Sequence, residues 1–149
     1  MTTLAVPNIE ARLLDILGPE GLMLSAAQMA PFLVDHRQLY HGRARAVAAP
    51  RTVEEVSRLL AWCNDERIGV VPQGGNTGYC GGATPDESGC EIVLCMRRLA
   101  RIRSVDALNY SLLAEAGCTL HEVRAAADAA ARLFPLSLGC LLYTSTSLP

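Results

Sequence analysis

Lysine is absent from this chain of 149 residues, whose 13 basic side chains are all arginines. That excludes a P-loop, since the motif needs its Lys to reach the β- and γ-phosphates, and a kinase or NTPase reading falls with it. An excess of one charge is also missing. A net charge of −2 and a pI near 5.9 exert no broad pull toward nucleic acid or an anionic membrane. No apolar run approaches the ~18 residues of a membrane span, and Met1 to Pro7 lack the basic and apolar regions of a secretory leader. The 6 cysteines include no C-x-x-C and no pairing with His at zinc-ligand spacing. They read as free thiols, no metal site is expected, and the cytoplasm is the expected compartment.

Half of the residues are hydrophobic, enough for one ordinary core. Asn8 can cap a helix whose Ile9, Leu13, Ile16 and Leu17 share a face and which Gly18-Pro19 ends. Ser25 and Gln28 have capping-box spacing before a short turn limited by Pro31, and Phe32 to Gly42 reads as irregular, with His36 and His41 at the surface. Ala44 to Pro50 is a buried strand. A second capping box, Thr52 and Glu55, opens a helix with Val53, Val56, Leu59, Leu60 and Cys63 facing inward and Asn64 at its end. Ile68 to Val71 follows as a parallel strand, which completes a right-handed β-α-β unit.

That strand runs into Pro72-Gln73-Gly74-Gly75-Asn76-Thr77-Gly78-Tyr79-Cys80-Gly81-Gly82. Glycines at 74, 75, 78, 81 and 82 let the backbone turn sharply and let successive N–H groups converge on an anion such as a phosphate. The spacing alone equally permits a plain connection between strands. Unlike a dinucleotide-binding βαβ unit, no long helix follows. Ala83 to Gly89 is turn chemistry that leads into another strand, Glu91 to Cys95, so an anion would meet backbone amides and not a helix N-terminus.

Arg97, Arg98, Arg101 and Arg103 read as a solvated face, with contact to an acidic partner or to a cofactor phosphate as the functional alternatives. Strands Ile102 to Asp106 and Ser111 to Ala116 flank a turn. Thr119 and Glu122 then cap an alanine-rich helix whose inner face is Leu120, Val123, Ala127, Ala130 and Leu133, with His121 exposed. A break near Asp106 would separate a first β-α-β-β subdomain from the incomplete start of a second.

Val71 to Gly78, then Gly81-Gly82 and Pro85 to Gly89, closely resemble the FAD-binding segment of the vanillyl-alcohol oxidase / p-cresol methylhydroxylase superfamily. Within it they are most similar to the branch of D-2-hydroxyglutarate dehydrogenases, D-lactate dehydrogenases and the glycolate oxidase D subunit. Tyr40 to Arg43, Pro50 to Val56, Ala114 to Gly117 and Phe134 to Leu138 carry the likeness over roughly residues 10 to 139. It implies an α+β, PCMH-type FAD-binding domain over 43–139, after an N-terminal helical segment over 1–42. It further implies that Pro72, Gln73, Gly74, Gly75, Asn76, Thr77 and Gly78 wrap the FAD pyrophosphate, with Cys80 and Gly81 beside them. FAD would be held noncovalently, Cys80 would fill space, and Pro135, Leu136 and Ser137 would lie near the flavin.

The implied activity of the whole enzyme is oxidation of a D-2-hydroxy acid to the 2-oxo acid, with a homodimer or an electron-acceptor protein as the expected partner. The family's substrate domain, with its metal-binding histidines and its substrate arginine, has no counterpart in this sequence, so no catalytic residue is assigned. Cys140 to Ser145 resembles the translated end of a sequencing-library adapter, and the expectation is a truncated reading frame with a non-native tail over 140–149. A stand-alone nucleotide-binding or interaction module without catalysis is the alternative.

Overall fold

The computed structural model describes residues 9–136, so the Asn8 cap, Ser137 and the 140–149 tail lie outside the described residues. Four strands form the main sheet: β1 (Leu22–Met23), β2 (Ala46–Ala48), β3 (Val70–Gln73) and β4 (Ile92–Cys95), in the order β1-β2-β4-β3. β2 and β3 each pair in parallel with β4, while β1 is antiparallel to β2. The expected β-α-β unit is therefore present with its two strands separated by one position, because β4 inserts between them. β1 is only two residues long and carries no pattern that the sequence could reveal.

The central strands are apolar on both faces, as a parallel sheet covered on both sides requires. Ala46 to Ala48 and Ile92 to Cys95 are buried throughout. One face of the sheet packs against helices α1 (Ile9–Leu17) and α3 (Val53–Asp65), through Leu13, Ile16, Leu17, Leu59 and Cys63. The other is covered by Met29, the last residue of the short helix α2 (Ala26–Met29), and by Phe32 and Leu33 just after it. Burial pushes the Cys63 thiol up to about 11, so it is an inert packing group.

The caps form as expected, with local differences. Thr52 accepts from the Glu55 amide, but the Glu55 carboxylate reaches past the cap to the Arg51 N–H at 2.6 Å. Val53 and Leu60, expected inside α3, are 49% and 42% exposed, because the sheet meets only the stripe through Val56, Leu59 and Cys63. The helix runs to Asp65, one residue past Asn64, and Arg67 makes the left-handed turn at φ 56°.

β5 (Ile102–Asp106) and β6 (Ser111–Ala114) form a separate antiparallel pair with a bulge between Ile102 and Ser104, and α4 (Leu120–Ala129) packs on β5. Its Thr119–Glu122 capping box is complete. Ala130 and Leu133, assigned to the inner face, lie beyond the helix, which ends at Ala129 before Ala131 turns the chain at φ 53°, and Leu133 is 82% exposed.

The arginine cluster is exposed as expected but carries partners that the sequence did not suggest. Glu115 is buried and receives Arg101 from its backbone (3.0 Å), Nε (3.1 Å) and Nη2 (2.9 Å), and Arg103 from Nε (3.2 Å) and Nη2 (3.1 Å). The bulge adds Arg103 to the strand and lets both guanidiniums converge on one carboxylate. Arg98 donates to the Ala49 carbonyl at 3.0 Å. Arg97, Arg101 and Arg103 keep the exposure expected of a solvated face, and three of the four cluster arginines act in addition as structural clamps.

Candidate functional site

β3 is an edge strand, and its residues alternate in direction. Ile92 N–H bonds the Gly69 carbonyl, so residues 69, 71 and 73 address β4 while Pro72 turns its donor-less nitrogen to the open edge, where a ladder bond is not needed. Gln73 closes the strand. It is 1% exposed, and its Nε2 donates to the Phe32 carbonyl (2.9 Å) and to the Ala83 carbonyl (2.7 Å). One side chain thereby ties the start of the glycine loop to its return and to the segment covering the sheet.

Asn76 makes the turn that follows. It adopts φ 55°, which Asn tolerates better than most residues, and its Nδ2 donates to the Val34 carbonyl at 2.7 Å. Gly81 has φ 71°, and a Cβ there would lie 2.9 Å from the Tyr40 ring, so the return of the loop requires glycine. Between these anchors, among the described residues, the main-chain N–H groups of residues 74–80 make no hydrogen bond within the chain. A Cβ built at Gly74, Gly78 or Gly82 would meet nothing within 4 Å. The loop is fixed at both ends and keeps its amides unspent on an open face, an arrangement that suits an anion.

The wall opposite is a hairpin built on Asp35, whose carboxylate is 3% exposed and accepts from the Arg37 (3.1 Å), Leu39 (2.7 Å) and Tyr40 (2.7 Å) amides. Those donors, Tyr40 first, hold its carboxyl below the usual carboxylate range. The hairpin presents His36, stacked on Tyr79 of the loop with centroids 6.5 Å apart, and Arg37, whose guanidinium lies 5.5 Å from the same ring. Sequence reasoning read this stretch as irregular and passed over Asp35. The available signal was an Asp placed to accept the N–H two residues on, the mark of an Asx turn.

A family model for an FAD-binding domain matches residues 44–146, which takes in β2, β3 and the whole loop. The chain belongs to this FAD-binding family. A probable mitochondrial D-2-hydroxyglutarate dehydrogenase of Oryza sativa subsp. indica is 33% identical over 124 residues, 83% of this chain and 22% of that protein. Glycolate oxidase subunit GlcD of Bacillus subtilis is 33% identical over 119 residues, 79% of this chain and 25% of its own. Among solved structures, p-cresol methylhydroxylase with substrate bound superposes with a TM-score of 0.68 at 21% identity over 80% of this chain and 24% of that one, a likeness of fold. The chain spans about a quarter of the length of these curated relatives.

FAD is the cofactor of this family, and the loop fits its diphosphate: unspent amides, no Cβ in the way, and no lysine required. Pro72 and Gln73 end β3, and Gly74, Gly75, Asn76, Thr77, Gly78, Cys80 and Gly81 lie on the loop that follows it. Cys80 is exposed. An adjoining groove of ≈ 550 Å³ includes Pro72, Gly81 and Gly82, but Asp86, Glu87 and Glu91 line it too, a charge set that repels phosphate. Pro135 and Leu136 lie in another groove, of ≈ 280 Å³, beside Arg124, and no residue of the glycine loop lines it. Among the described residues no group of three His, Cys, Asp or Glu side chains could hold a metal ion, and no helix is long and apolar enough to cross a membrane.

Proposed function

We propose that this chain is the FAD-binding part of a flavin-dependent oxidoreductase that oxidises a D-2-hydroxy acid to the 2-oxo acid, and that residues 72–81 hold the FAD diphosphate noncovalently. The observation that carries the reading is the row of unspent main-chain donors over residues 74–80, pinned by Gln73 and Asn76. Preformed amides need no reorganisation when the diphosphate arrives, and they offset its lost hydration with fixed dipoles. The Thr77 hydroxyl adds a side-chain donor in the same turn. When bound, FAD supplies a two-electron acceptor for the conversion of an alcohol to a carbonyl. This chain's residues supply binding and orientation. The general base and the substrate carboxylate's partner are assigned to the part of the longer protein that its relatives have and this chain does not span. The D-2-hydroxy-acid class is supported by relatives named for D-2-hydroxyglutarate and glycolate.

The test is a titration of the purified chain with FAD, followed by flavin fluorescence and by competition with ADP. Saturable binding that ADP displaces supports the reading. A flat response up to high micromolar FAD rejects it.

A further inference from the structure

Both strands that end at the cradle, β3 and β4, are parallel, with Gln73 level with Cys95, so the residues just past each leave the sheet at the same end. Arg97 stands two positions past Cys95. Its guanidinium lies 5.2 Å from the centroid of the Phe32 ring, and the Phe32 carbonyl is the group that accepts from Gln73 at the start of the glycine loop. Arg37 occupies the matching place at the far end of the loop, 5.5 Å from the Tyr79 ring centroid, on the hairpin whose Val34 carbonyl accepts from Asn76.

Neither arginine makes a salt bridge among the described residues, a property they share with Arg43, Arg45, Arg67, Arg124 and Arg132, and what sets these two apart is their place beside the ends of the glycine loop. Stacking on a ring fixes a guanidinium plane without consuming its N–H donors. The one carboxylate built into this wall, Asp35, is buried and engaged by three amides, with the Arg37 charge as a smaller influence on it.

We infer that Arg37 and Arg97 are the cationic gateposts of the cradle, two ring-stacked guanidiniums that supply the positive charge the lysine-free loop lacks and that select ligands carrying a diphosphate. This inference rests on the proposed role of residues 72–81 and adds the side chains that discriminate ligand charge. Backbone amides give directional donors but no net charge, so a dianionic diphosphate on this loop gains from flanking cations, and the gain falls with salt.

The experiment titrates the chain and its Arg37→Gln, Arg97→Gln and double variants with FAD, ADP, adenosine and riboflavin at low and high salt. Arg37→Lys and Arg97→Lys serve as charge-keeping controls, and circular dichroism confirms folding. Expected is a weakening of FAD and ADP binding by roughly three- to tenfold for each Gln variant, with a shallower salt dependence. Adenosine and riboflavin binding should stay unchanged, and the Lys variants should stay close to the parent. If the parent binds FAD and ADP and the Gln variants bind them equally well, or lose riboflavin in the same proportion, the gatepost role is overturned while the loop's role stands. If the parent binds neither FAD nor ADP, both fall together.

Discussion

Single side chains in this domain do work that its backbone cannot do alone, and Asn76 shows how. It must hold φ 55° and reach the Val34 carbonyl, two demands that Gly and Ala each meet only in part or not at all. Asn76→Ala is expected to cost roughly 1–3 kcal/mol in chemical unfolding, from the left-handed backbone plus one lost hydrogen bond. Asn76→Gly should recover the backbone share and leave the hydrogen-bond share missing. Equal losses in the two variants would show that the conformation contributes nothing.

Glu115 makes the corresponding case for charge. Its contacts with Arg101 first, then Arg103, hold its carboxyl at about 2 against an ordinary 4.5. A carboxylate depressed in the folded state stabilises fully above its unfolded value. That stability is present above about pH 4.5 and is lost as the pH falls toward 2. Thermal unfolding followed from pH 6 down to pH 2.5 should show this loss, and Glu115→Gln should lower the melting point at pH 6 while flattening its fall with acid. An identical pH slope in parent and variant would assign the acid sensitivity to other groups.

At the level of elements, legibility follows the length and isolation of each pattern. α3 and α4 were readable because each joins a cap to a periodic stripe, α1 because of its stripe, and β4 because four successive apolar residues sit between turn signals. The insertion of β4 between β2 and β3 was not readable, since strand order depends on contacts that no local period encodes. For the same reason the arginine run gave no sign that Arg101 and Arg103 would share a carboxylate twelve or more positions away. In the candidate site, the glycine loop was visible as composition, but the Asp35 hairpin opposite was not, because its order comes from one buried carboxylate and not from hydrophobic spacing.

Leu59 tests the element that carries the core. It is fully buried between α3 and the sheet, so Leu59→Ala is expected to cost about 2–5 kcal/mol in urea unfolding. Leu60→Ala, one position along and 42% exposed, should stay within about 1 kcal/mol. A comparable loss at both positions would mean that the face of α3 has been misplaced.

Across the whole molecule, stability is unevenly distributed. The four-stranded sheet is sealed on both faces, whereas β5, β6 and α4 share a small core in which Ala127 is the buried residue of the helix and Leu108, Tyr110 and Leu113 face solvent. Regions with few buried apolar contacts open at lower free energy than the global transition. Hydrogen exchange should therefore show slow amides over Ala46–Ala48 and Ile92–Cys95, and much faster exchange over Ser111–Ala114 and Leu120–Ala129. FAD adds a second prediction at this scale. Because the cradle is anchored through Gln73 to Phe32 and through Asn76 to Val34, ligand binding should slow exchange over residues 74–80 and over 32–40 together, and leave α4 unchanged. Protection confined to the loop alone would show that the Asp35 hairpin is a bystander. Protection spreading to α4 would instead place part of the ligand against the second layer, beside the groove that Pro135 and Leu136 line.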